Sequence, residues 1–378
     1  MHCKNNHLKI PIYSFFTGGG FLDMGFEKAG FDIIFTNEID KDFARFYSEG
    51  MSNWAGEAKK ISSTDSIEHL AVDEIKNIVG NKEFGIIGGP PCQDFSIRGS
   101  KEGFEGIRGT LTFQFYEKIM DLKPMFFLME NVPGLVHLKK TKKYFYELLN
   151  LFSEEYFISE KKLNSLHYGV PQSRERLFIL GMRKDKFTNS KIHLSENDWF
   201  TWPIEKNPNA EKLYKWGEPF SKRKELDLPS PPHQLCVASI LVDPKEIDNV
   251  PNTDEYFNIQ DINKIKKIEE GDTYRPSFKK LHRNKYSPTA CYGNNEVHLH
   301  PTLNRRLSVR EALRIQGVPD AYSIKTSGKL SKKFKMIGNG VPVPLAHHIA
   351  SAIKSFLFSH LSNGENVDGY LVREEQEC

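Results

Sequence analysis

Residues 10 to 185 carry the pattern that most restricts the fold, because short apolar runs alternate there with longer stretches of helical periodicity. The apolar runs predict strands at residues 10–16, 32–37, 84–87, 125–129, 156–163 and 176–182. Helices are predicted between them, including 21–29, 113–122 and 142–152. This repetition is typical of βαβ units, which form a parallel sheet with helices on its faces. We therefore predict an α/β fold with a doubly wound, mostly parallel sheet.

The composition is that of a folded protein, with 39% hydrophobic and 27% charged residues. Lysine and arginine number 52 against 49 acidic residues, so the net charge of +3 permits nucleic-acid binding without requiring it. The cysteines are odd in number, far apart and without a CxxC pair, which argues against a disulfide framework or a zinc site: Cys3, Cys92, Cys236, Cys291 and Cys378. No apolar run is long enough to span a membrane, and no signal peptide is evident. We expect a soluble protein of the reducing cytoplasm, without a bound metal.

The regular alternation stops near residue 186 and does not return before about residue 290. Proline, asparagine and turn signals become frequent in this stretch, which predicts a separate, irregular lobe. Helical periodicity returns after residue 300, where Ser308 and Glu311 form a predicted capping box that begins a helix ending near Gly317. A last helix is predicted after Pro342 and Pro344. The predicted divisions are 1–185, 186–295 and 296–378.

The last third of the irregular lobe interleaves basic and aromatic residues. They are Lys264, Lys266, Lys267, Tyr274, Arg275, Phe278, Lys279, Lys280, Arg283, Lys285 and Tyr286. Such a mixture suits a phosphate backbone and unstacked bases. A solvated charged surface explains the same residues equally well.

Cys92 follows an apolar run and two prolines, in the stretch Gly-Gly-Pro-Pro-Cys-Gln-Asp-Phe-Ser from Gly88 to Ser96. The prolines fix the backbone and remove two amide donors, so the chain leaves the strand there and presents Cys92 at its end. Open α/β sheets bind ligands at the carboxyl ends of their strands. Cys92 is therefore a candidate nucleophile, although a lone cysteine is usually a small buried hydrophobe.

A glycine-rich turn, Thr-Gly-Gly-Gly from Thr17 to Gly20, follows the first predicted strand and begins a helix. Glycines let the backbone approach a ligand, and the helix start adds positive potential. About 20 residues further on, Glu38 ends the second predicted strand, where acidic residues hold ribose hydroxyls in nucleotide sites. The pair indicates a cofactor that contains adenosine.

Glu130 ends an apolar strand that is predicted to be buried on both faces, in Met-Glu-Asn-Val-Pro-Gly. A desolvated carboxyl keeps its proton more readily and can donate it to a ring nitrogen, although a structural capping role is the alternative. Arg174 and Arg176 are two residues apart in an extended segment, so we expect both guanidinium groups to point the same way. Together they would suit anionic or carbonyl oxygens.

Taken in order, these motifs resemble those of the bacterial and phage DNA cytosine-5 methyltransferases. The resemblance comprises the glycine turn, Glu38, Pro-Pro-Cys-Gln, Glu-Asn-Val, Gln-Ser-Arg-Glu-Arg, then Arg-Leu-Ser-Val-Arg-Glu-Ala and Ile-Gly-Asn-Gly-Val-Pro. It covers residues 10 to 185 and about 300 to 350. The family's fold is the Rossmann-like sheet of class I S-adenosylmethionine-dependent methyltransferases, joined to a smaller target-recognition lobe. The resemblance implies that 1–185 is the catalytic and cofactor-binding domain, 186–295 the recognition domain, and 296–378 a return to the catalytic domain.

For catalysis, the resemblance implies that Cys92 adds to carbon 6 of a flipped-out cytosine and that Glu130 holds or protonates ring nitrogen 3. Arg176, with Arg174 nearby, would contact the base carbonyl or a phosphate. The methyl donor would be S-adenosylmethionine, bound by Phe16, Gly18, Gly20, Glu38, Ile39, Asp65, Pro91, Leu111 and Asn339. The family often has aspartate at the position of Ser14, a difference that affects the packing near the cofactor rather than a catalytic atom.

The implied substrate is a short specific site in duplex DNA. The expected DNA contacts in the matched part are Gln93, Ser96, Arg98 and Asn131, and Arg98 could fill the space that the cytosine leaves. In the unmatched lobe, we expect the basic residues Lys279, Lys280 and Arg283 to contact DNA. We expect a monomer of the bacterial cytoplasm or nucleoid, either accompanied by a restriction endonuclease for the same site or acting alone.

The motifs fit other classes of protein less well. A tRNA cytosine-5 methyltransferase shares this core, but its Pro-Pro-Cys-Gln is usually followed by Pro-Phe-Thr, whereas this chain has Asp94-Phe95-Ser96. Amino-group methyltransferases need an Asp/Asn-Pro-Pro-aromatic turn. A non-catalytic relative would be expected to lack Cys92 or Glu130. A nicotinamide dehydrogenase is disfavoured because the glycine turn is not a full GxGxxG.

Overall fold

The computed structural model describes residues 7–59, 62–91, 110–137, 139–187, 199–218, 230–247, 249–292, 297–325, 328–361 and 371–372. In chain order, the strands of these ranges are β1 (His7–Leu8), β2 (Pro11–Phe15), β3 (Asp32–Asn37), β4 (Gly85–Gly88), β5 (Phe126–Asn131), β6 (Tyr156–Asn164), β7 (Glu175–Arg183), β8 (Lys279–Lys280), β9 (His298–Leu299) and β10 (Leu371–Val372). Strand β1 pairs with β10 and strand β8 with β9, each as a small two-stranded sheet.

The central sheet of the described residues has six strands in the order β3-β2-β4-β5-β7-β6. Strands β3, β2, β4 and β5 are parallel neighbours, whereas β7 runs antiparallel to both β5 and β6. The connection from β6 to β7, residues 165–174, is shorter than the dozen or more residues that a parallel crossover needs. The predicted mostly parallel sheet is confirmed, and each predicted strand lies within one or two residues of an observed one.

The helices of the described ranges are α1 (Phe21–Lys28), α2 (Lys41–Ala55), α3 (Val72–Val79), α4 (Leu111–Leu122), α5 (Gly134–His137), α6 (Lys139–Glu155), α7 (Lys184–Phe187), α8 (Ala210–Leu213), α9 (Ile262–Lys266), α10 (Val309–Ile315), α11 (Leu330–Asn339) and α12 (Val343–Leu361). Local chemistry sets several of these boundaries. Asp40 caps α2 by accepting hydrogen bonds from the amides of Asp42 and Phe43, and Thr110 caps α4 through the amide of Phe113. None of the described helices is long and apolar enough to cross a membrane.

Apolar side chains cover both faces of the central sheet. On one face, α1 and α12 contribute to a buried cluster that includes Phe26, Leu128, Phe178, Leu345 and Ile349. On the other face, α3, α4 and α6 contribute to a second cluster that includes Tyr13, Ile75, Phe115, Phe127 and Phe152. The sheet is therefore doubly wound, as predicted.

The region from residue 199 to residue 300 is irregular by comparison. Its described part contains α8, α9, β8, β9 and three 3₁₀ turns, at His233–Leu235, Val237–Ile240 and Pro244–Glu246. Its buried clusters are small, such as the one formed by Leu166, Ala210, Trp216, Leu235 and Cys236. This matches the predicted loss of regular alternation.

The chain after residue 300 packs onto the sheet domain again. The Ser308 hydroxyl accepts a hydrogen bond from the Glu311 amide, and the Glu311 carboxylate accepts one from the Ser308 amide, so the predicted capping box is confirmed. Helix α12 begins at Val343, and Pro344 therefore lies in its first turn, where the missing amide hydrogen costs nothing.

Candidate active site

A cavity of about 230 Å³ opens at the carboxyl edge of the central sheet. Residues at or beyond the ends of β2, β3, β4 and β5 contribute to its wall, as do α4, α11 and the segment after α11. The described wall consists of Phe16, Thr17, Gly18, Phe21, Leu22, Asn37, Glu38, Ile39, Phe43, Ser66, Ile67, Gly89, Pro91, Leu111, Glu130, Met336, Asn339, Gly340 and Val341. Ligands of open α/β sheets bind at this edge.

Most residues predicted to bind the cofactor lie in this wall: Phe16, Gly18, Glu38, Ile39, Pro91, Leu111 and Asn339. Gly20 and Asp65 do not line it. Gly20 precedes α1 with a φ of 79°, and a Cβ atom there would lie 2.7 Å from the Tyr47 ring. Gly20 thus serves the turn and the packing of α1. The Asp65 carboxylate accepts a hydrogen bond from Ser63, while the next residues, Ser66 and Ile67, line the cavity.

Glu38 is held rigidly by backbone amides. Its Oε2 accepts from the Gly18 amide at 2.9 Å, and its Oε1 accepts from the Asp40 amide at 2.9 Å. Burial raises the pKa of Glu38, and these two amides oppose the rise. The glycine turn and Glu38 are therefore one unit, and the remaining lone pairs of the carboxylate are available to hydroxyl donors.

The electrostatics of the cavity favour a cationic or neutral ligand. Its described wall contains two carboxyl groups, those of Glu38 and Glu130, and neither lysine nor arginine. The side chain of Ile39 is 61% exposed and lies with Phe16 and Phe43 in the apolar part of the wall. An apolar slot suits an adenine ring, and carboxyl groups suit ribose hydroxyls or a positive charge. Phosphate groups would find no side-chain cation among the described residues of this wall.

Glu130 lies near the end of β5 and forms an ion pair with Arg176 on the neighbouring strand β7. Arg176 Nε is 2.9 Å from Glu130 Oε1, and both side chains are nearly buried. Burial raises the pKa of Glu130, and the charges of Arg176 and Arg174 oppose the rise. The carboxyl group is thus oriented by Arg176 and keeps its proton to higher pH than an exposed glutamate.

The turn that precedes Cys92 lies directly beside Glu130. A Cβ atom at residue 89 would lie 2.8 Å from Glu130 Oε2, so only glycine fits there without displacing the carboxyl group. Pro91 is the last described residue before Cys92 and lines the cavity. Cys92, Gln93, Ser96 and Arg98 lie outside the described residues.

Arg174 is placed differently from the expectation that both arginines face a substrate. It is 1% exposed, its Nη1 donates to the Ala290 carbonyl at 3.1 Å, and its Nη2 donates to the Gly338 carbonyl at 2.7 Å. Burial and the positive charge of Arg176 lower the pKa of Arg174 to about 9. The i and i+2 spacing brought the two arginines close, but buried carbonyls attract the guanidinium of Arg174.

Asn131, predicted to contact DNA, is 3% exposed and supports the turn before Cys92. Its Nδ2 donates to the Pro90 carbonyl at 3.1 Å, and its Oδ1 accepts from the Val132 amide at 2.8 Å. The end of β5 and the Pro90–Pro91 turn are therefore tied together by this amide.

The predicted DNA contacts of the irregular lobe do not line the cavity. Lys279 and Lys280 form strand β8 and are half-buried. Arg283 is exposed and binds the Glu270 carboxylate through Nε at 3.0 Å and Nη2 at 3.1 Å. Their roles toward DNA stay predictions.

Sequence reasoning missed several residues of the cavity wall, among them Phe43, Ser66, Ile67 and Met336. They belong to helices or turns that reach the site only through tertiary packing. The cap at Asp40 could have indicated that α2 begins beside the end of β3, which would have brought Phe43 to the wall.

Comparison with known proteins gives a family match and several close relatives. The family model of the C-5 cytosine-specific DNA methylases matches residues 10–355. Type II methyltransferase M.NmeDI of Neisseria meningitidis serogroup C is 38% identical over 94% of this chain and 86% of its own length. Type II methyltransferase M.FnuDI of Fusobacterium nucleatum is 34% identical over 92% of this chain and 95% of its own length.

Solved structures show the same fold at lower identity. A prophage-encoded Escherichia coli protein described as a DNA modification methyltransferase is 23% identical, with a TM-score of 0.65 over 93% of this chain and 100% of that chain. The methyltransferase EhMeth of Entamoeba histolytica is 16% identical, with a TM-score of 0.59 over 93% of this chain and 99% of that one.

Proposed function

The chain belongs to the family of C-5 cytosine-specific DNA methylases, and on this premise we propose that it methylates a cytosine turned out of duplex DNA, with Cys92 as the nucleophile and Glu130 as the acid. Membership of the family makes it a DNA cytosine-5 methyltransferase of the Type II restriction-modification kind, with S-adenosylmethionine as methyl donor. The proposal concerns the residues that perform the reaction and the state of the substrate.

One observation carries the proposal: a buried glutamic acid faces the cavity beside the turn that leads into Cys92. Glu130 and Pro91 line the same cavity, and Cys92 is one residue beyond Pro91. Strands β4 and β5 are parallel neighbours, with Gly88 opposite Met129, so both segments leave the sheet at the same edge. A nucleophile and an acid on adjacent strand ends can act on opposite sides of one heterocycle.

The chemistry follows from these two groups. The Cys92 thiolate forms a bond to carbon 6, while the Glu130 proton neutralises the electron density that moves toward ring nitrogen 3. Carbon 5 thereby becomes nucleophilic, and S-adenosylmethionine, when bound by the cavity wall, would supply the methyl group and leave as S-adenosylhomocysteine. Transfer of the carbon 5 proton to a base, with return of the ring nitrogen 3 proton to Glu130, then lets the electron pair re-form the double bond and expel the thiolate. Burial raises the pKa of Glu130, which favours the protonated form that this step requires.

The described cavity fits the donor. Its wall offers an apolar slot at Ile39 and Phe43, the Glu38 carboxylate for ribose hydroxyls, and no basic side chain among the described residues that would select phosphates. We propose that Phe16, Gly18, Pro91, Leu111 and Asn339 complete the contacts. Gly20 and Asp65 would act indirectly, through the turn and through Ser66.

A cytosine within the duplex cannot offer its ring face to a thiol, because its neighbours stack on it. The substrate base must therefore leave the helix, and a second part of the protein must hold the DNA. We propose that residues 186–295 recognise the sequence, with Lys279, Lys280 and Arg283 near the phosphates. We further propose that the enzyme acts as a monomer in the bacterial cytoplasm, beside a restriction endonuclease for the same site.

Methylation of tRNA is the second candidate, and the family match to DNA methylases weighs against it. Incubating the enzyme with duplex DNA and with tRNA, each with labelled S-adenosylmethionine, separates the two. We expect transfer to DNA alone, since an RNA duplex hides its base edges in a narrow major groove.

The test of the catalytic residues uses Cys92→Ser. We expect methyl transfer to fall below detection, while S-adenosylmethionine binds with a Kd within about threefold of wild type, because the cavity wall is retained. Normal turnover in this variant would show that the reaction does not pass through the thiol.

A further inference from the structure

A buried polar network behind the active site joins three segments that are far apart in sequence. We propose that Arg174 and Gln172 are positioning residues, which clamp residues 287–290 to the cavity wall at 337–340 and so align Glu130 with the bound methyl donor. The inference rests on the proposed function, in which Glu130 acts on a base beside the donor. It assigns Arg174 to alignment rather than to contact with the base.

Arg174 bridges two of the segments directly. Its two terminal nitrogens donate to carbonyls on different stretches of chain, Ala290 at 3.1 Å and Gly338 at 2.7 Å. The next residue after Gly338 is Asn339, which lines the cavity. A guanidinium has the fixed fork that reaches two such acceptors at once, whereas a lysine ammonium is a point charge on a flexible stem.

Gln172 makes a second bridge between the same segments. Its Oε1 accepts from the Ala290 amide at 2.8 Å, and its Nε2 donates to Gln316 Oε1 at 3.1 Å. Gln316 in turn donates from Nε2 to the Ile337 carbonyl at 2.7 Å. Gln172 and Gln316 are both fully buried. An unmade hydrogen bond here would leave a desolvated polar group, so the network favours one arrangement.

The backbone of 171–174 also runs alongside 287–290. The Ser287 amide donates to Pro171 at 2.8 Å, the Ser173 amide donates to Ser287 at 2.9 Å, and the Thr289 hydroxyl donates to the Ser173 carbonyl at 2.9 Å. These bonds tie the end of the irregular region to the segment that leads into β7.

The contact between the irregular region and the cavity wall is as close as backbone allows. A Cβ atom at residue 338 would lie 2.4 Å from the Cys291 carbonyl oxygen, so glycine is required there. Since the two backbones touch, a shift of 290–291 must displace 338–339. Movement of the irregular region therefore changes the shape of the cavity wall.

The same segment sets the position of the acid. Arg176 lies two residues beyond Arg174 and holds Glu130 at 2.9 Å. The clamp therefore has Glu130 at one end and Asn339 at the other, with residues 287–290 between them. Misplacing reacting groups by about 1 Å can lower a rate by about 100-fold. DNA held by the irregular region would thus be aligned with both the acid and the donor.

The test compares two buried arginines. Arg174→Lys keeps a cation but loses one of the two hydrogen bonds that Arg174 donates to the Ala290 and Gly338 carbonyls. Arg310→Lys is the matched control, because Arg310 is also fully buried and donates to the carbonyls of Pro251, Pro319 and Tyr322, none of which lines the cavity. The measurements are the donor-binding stoichiometry by calorimetry and the single-turnover rate of methyl transfer with saturating duplex DNA and S-adenosylmethionine.

We expect Arg174→Lys to bind the donor with wild-type stoichiometry and to transfer the methyl group about 10- to 100-fold more slowly per bound site. Arg310→Lys should lower the melting temperature while its rate per bound site stays at the wild-type value. A purely structural role for Arg174 predicts the opposite for the first variant, namely fewer binding-competent molecules and an unchanged rate per site.

Thr289→Val provides a milder probe that removes only the hydrogen bond to Ser173, in case Arg174→Lys does not fold. We expect its single-turnover rate to fall about threefold to tenfold, and a rate equal to wild type would overturn the clamp. Equal rates per site for wild type and Arg174→Lys would overturn this inference alone. A wild-type enzyme that transfers no methyl group to duplex DNA would overturn the proposed function and the inference with it.

Discussion

The sheet domain up to residue 187 and the region from 199 to 300 differ in how they are held together. In the first, six strands are covered by helices on both faces, and large clusters of aromatic and aliphatic residues are fully buried. In the second, short 3₁₀ turns and two-residue strands surround clusters of only a few residues. The difference teaches where precision is needed, since Glu130 and Glu38 extend from the densely packed sheet domain, whereas the contacts with DNA are proposed for the irregular region.

The largest expected effect tests whether the chemistry belongs to the sheet domain. Glu130→Gln keeps the size and loses the proton, so we expect kcat to fall about 100- to 10,000-fold while DNA affinity changes little. Burial raises the pKa of Glu130, and the reaction needs its protonated form, so wild-type activity should decline as the pH rises through this raised pKa. The residual activity of Glu130→Gln should not show this decline. Steady-state kinetics across pH 6 to 10 measure both. If Glu130→Gln lost DNA binding but kept its rate, the assignment of the chemistry to the sheet domain would be contradicted.

A second prediction concerns the stability of the sheet domain. Asp23 is buried beside Ser14, and burial raises its pKa from 3.8 to about 7. The folded state therefore binds this proton more tightly than the unfolded chain does. The free energy of unfolding should fall between about pH 4 and pH 7, by on the order of 4 kcal/mol at most.

In Asp23→Asn this fall should be absent, and the variant should be more stable than wild type at pH 8. Asp261→Asn is the matched control in the irregular region, since Asp261 is an exposed cap of α9 and asparagine can also cap. Urea unfolding at pH 5 and pH 8 gives the free energies. If the free energy of unfolding changed equally between pH 5 and pH 8 in wild type and in Asp23→Asn, the burial argument would be contradicted.

A smaller effect is expected where the chain returns to the sheet domain. Ser308→Ala removes one half of the capping box, so the free energy of unfolding should fall by about 0.5 to 2 kcal/mol with methylation per folded molecule unchanged. Thermal unfolding and a rate assay check the two parts. A loss of rate without a loss of stability would mean that α10 serves the reaction directly.

The smallest effect sharpens the role of the irregular region. Lys280→Ala should weaken DNA binding severalfold for every sequence and lower the slope of log affinity against log salt by about 1, with kcat at saturating DNA unchanged. Lys76→Ala on the exposed side of α3 serves as the control and should leave the salt slope unaltered. A salt slope unchanged in Lys280→Ala would place the phosphate contacts elsewhere.

The sequence predicted the sheet domain closely because each of its elements has a local signature. Short apolar runs located the strands, the helical period located the helices, and the Ser308–Glu311 capping box appeared as predicted. The sequence did not predict that β7 is the antiparallel strand, because a pattern of apolar residues does not indicate the direction of a strand. The irregular region has no periodic signature, so only its existence could be predicted.

Site residues divide in the same way. Glu38, Ile39 and Asn339 were found from motifs and line the cavity. Arg174 and Asn131 were found from the same motifs, yet their side chains bind backbone carbonyls and amides that only the tertiary fold brings near. A motif therefore predicts which residues gather, and buried hydrogen bonds decide which of them face the ligand.

The most direct test of the central claim is mass spectrometry of the enzyme with its DNA. Duplex carrying 5-fluorocytosine at the target should become attached to the enzyme in the presence of S-adenosylmethionine, because fluorine cannot leave carbon 5 as a proton does. Our account predicts one adduct per active enzyme molecule, on the peptide that contains Cys92, and none with Cys92→Ser. An adduct on another residue, or methylated product released without any adduct, would contradict it.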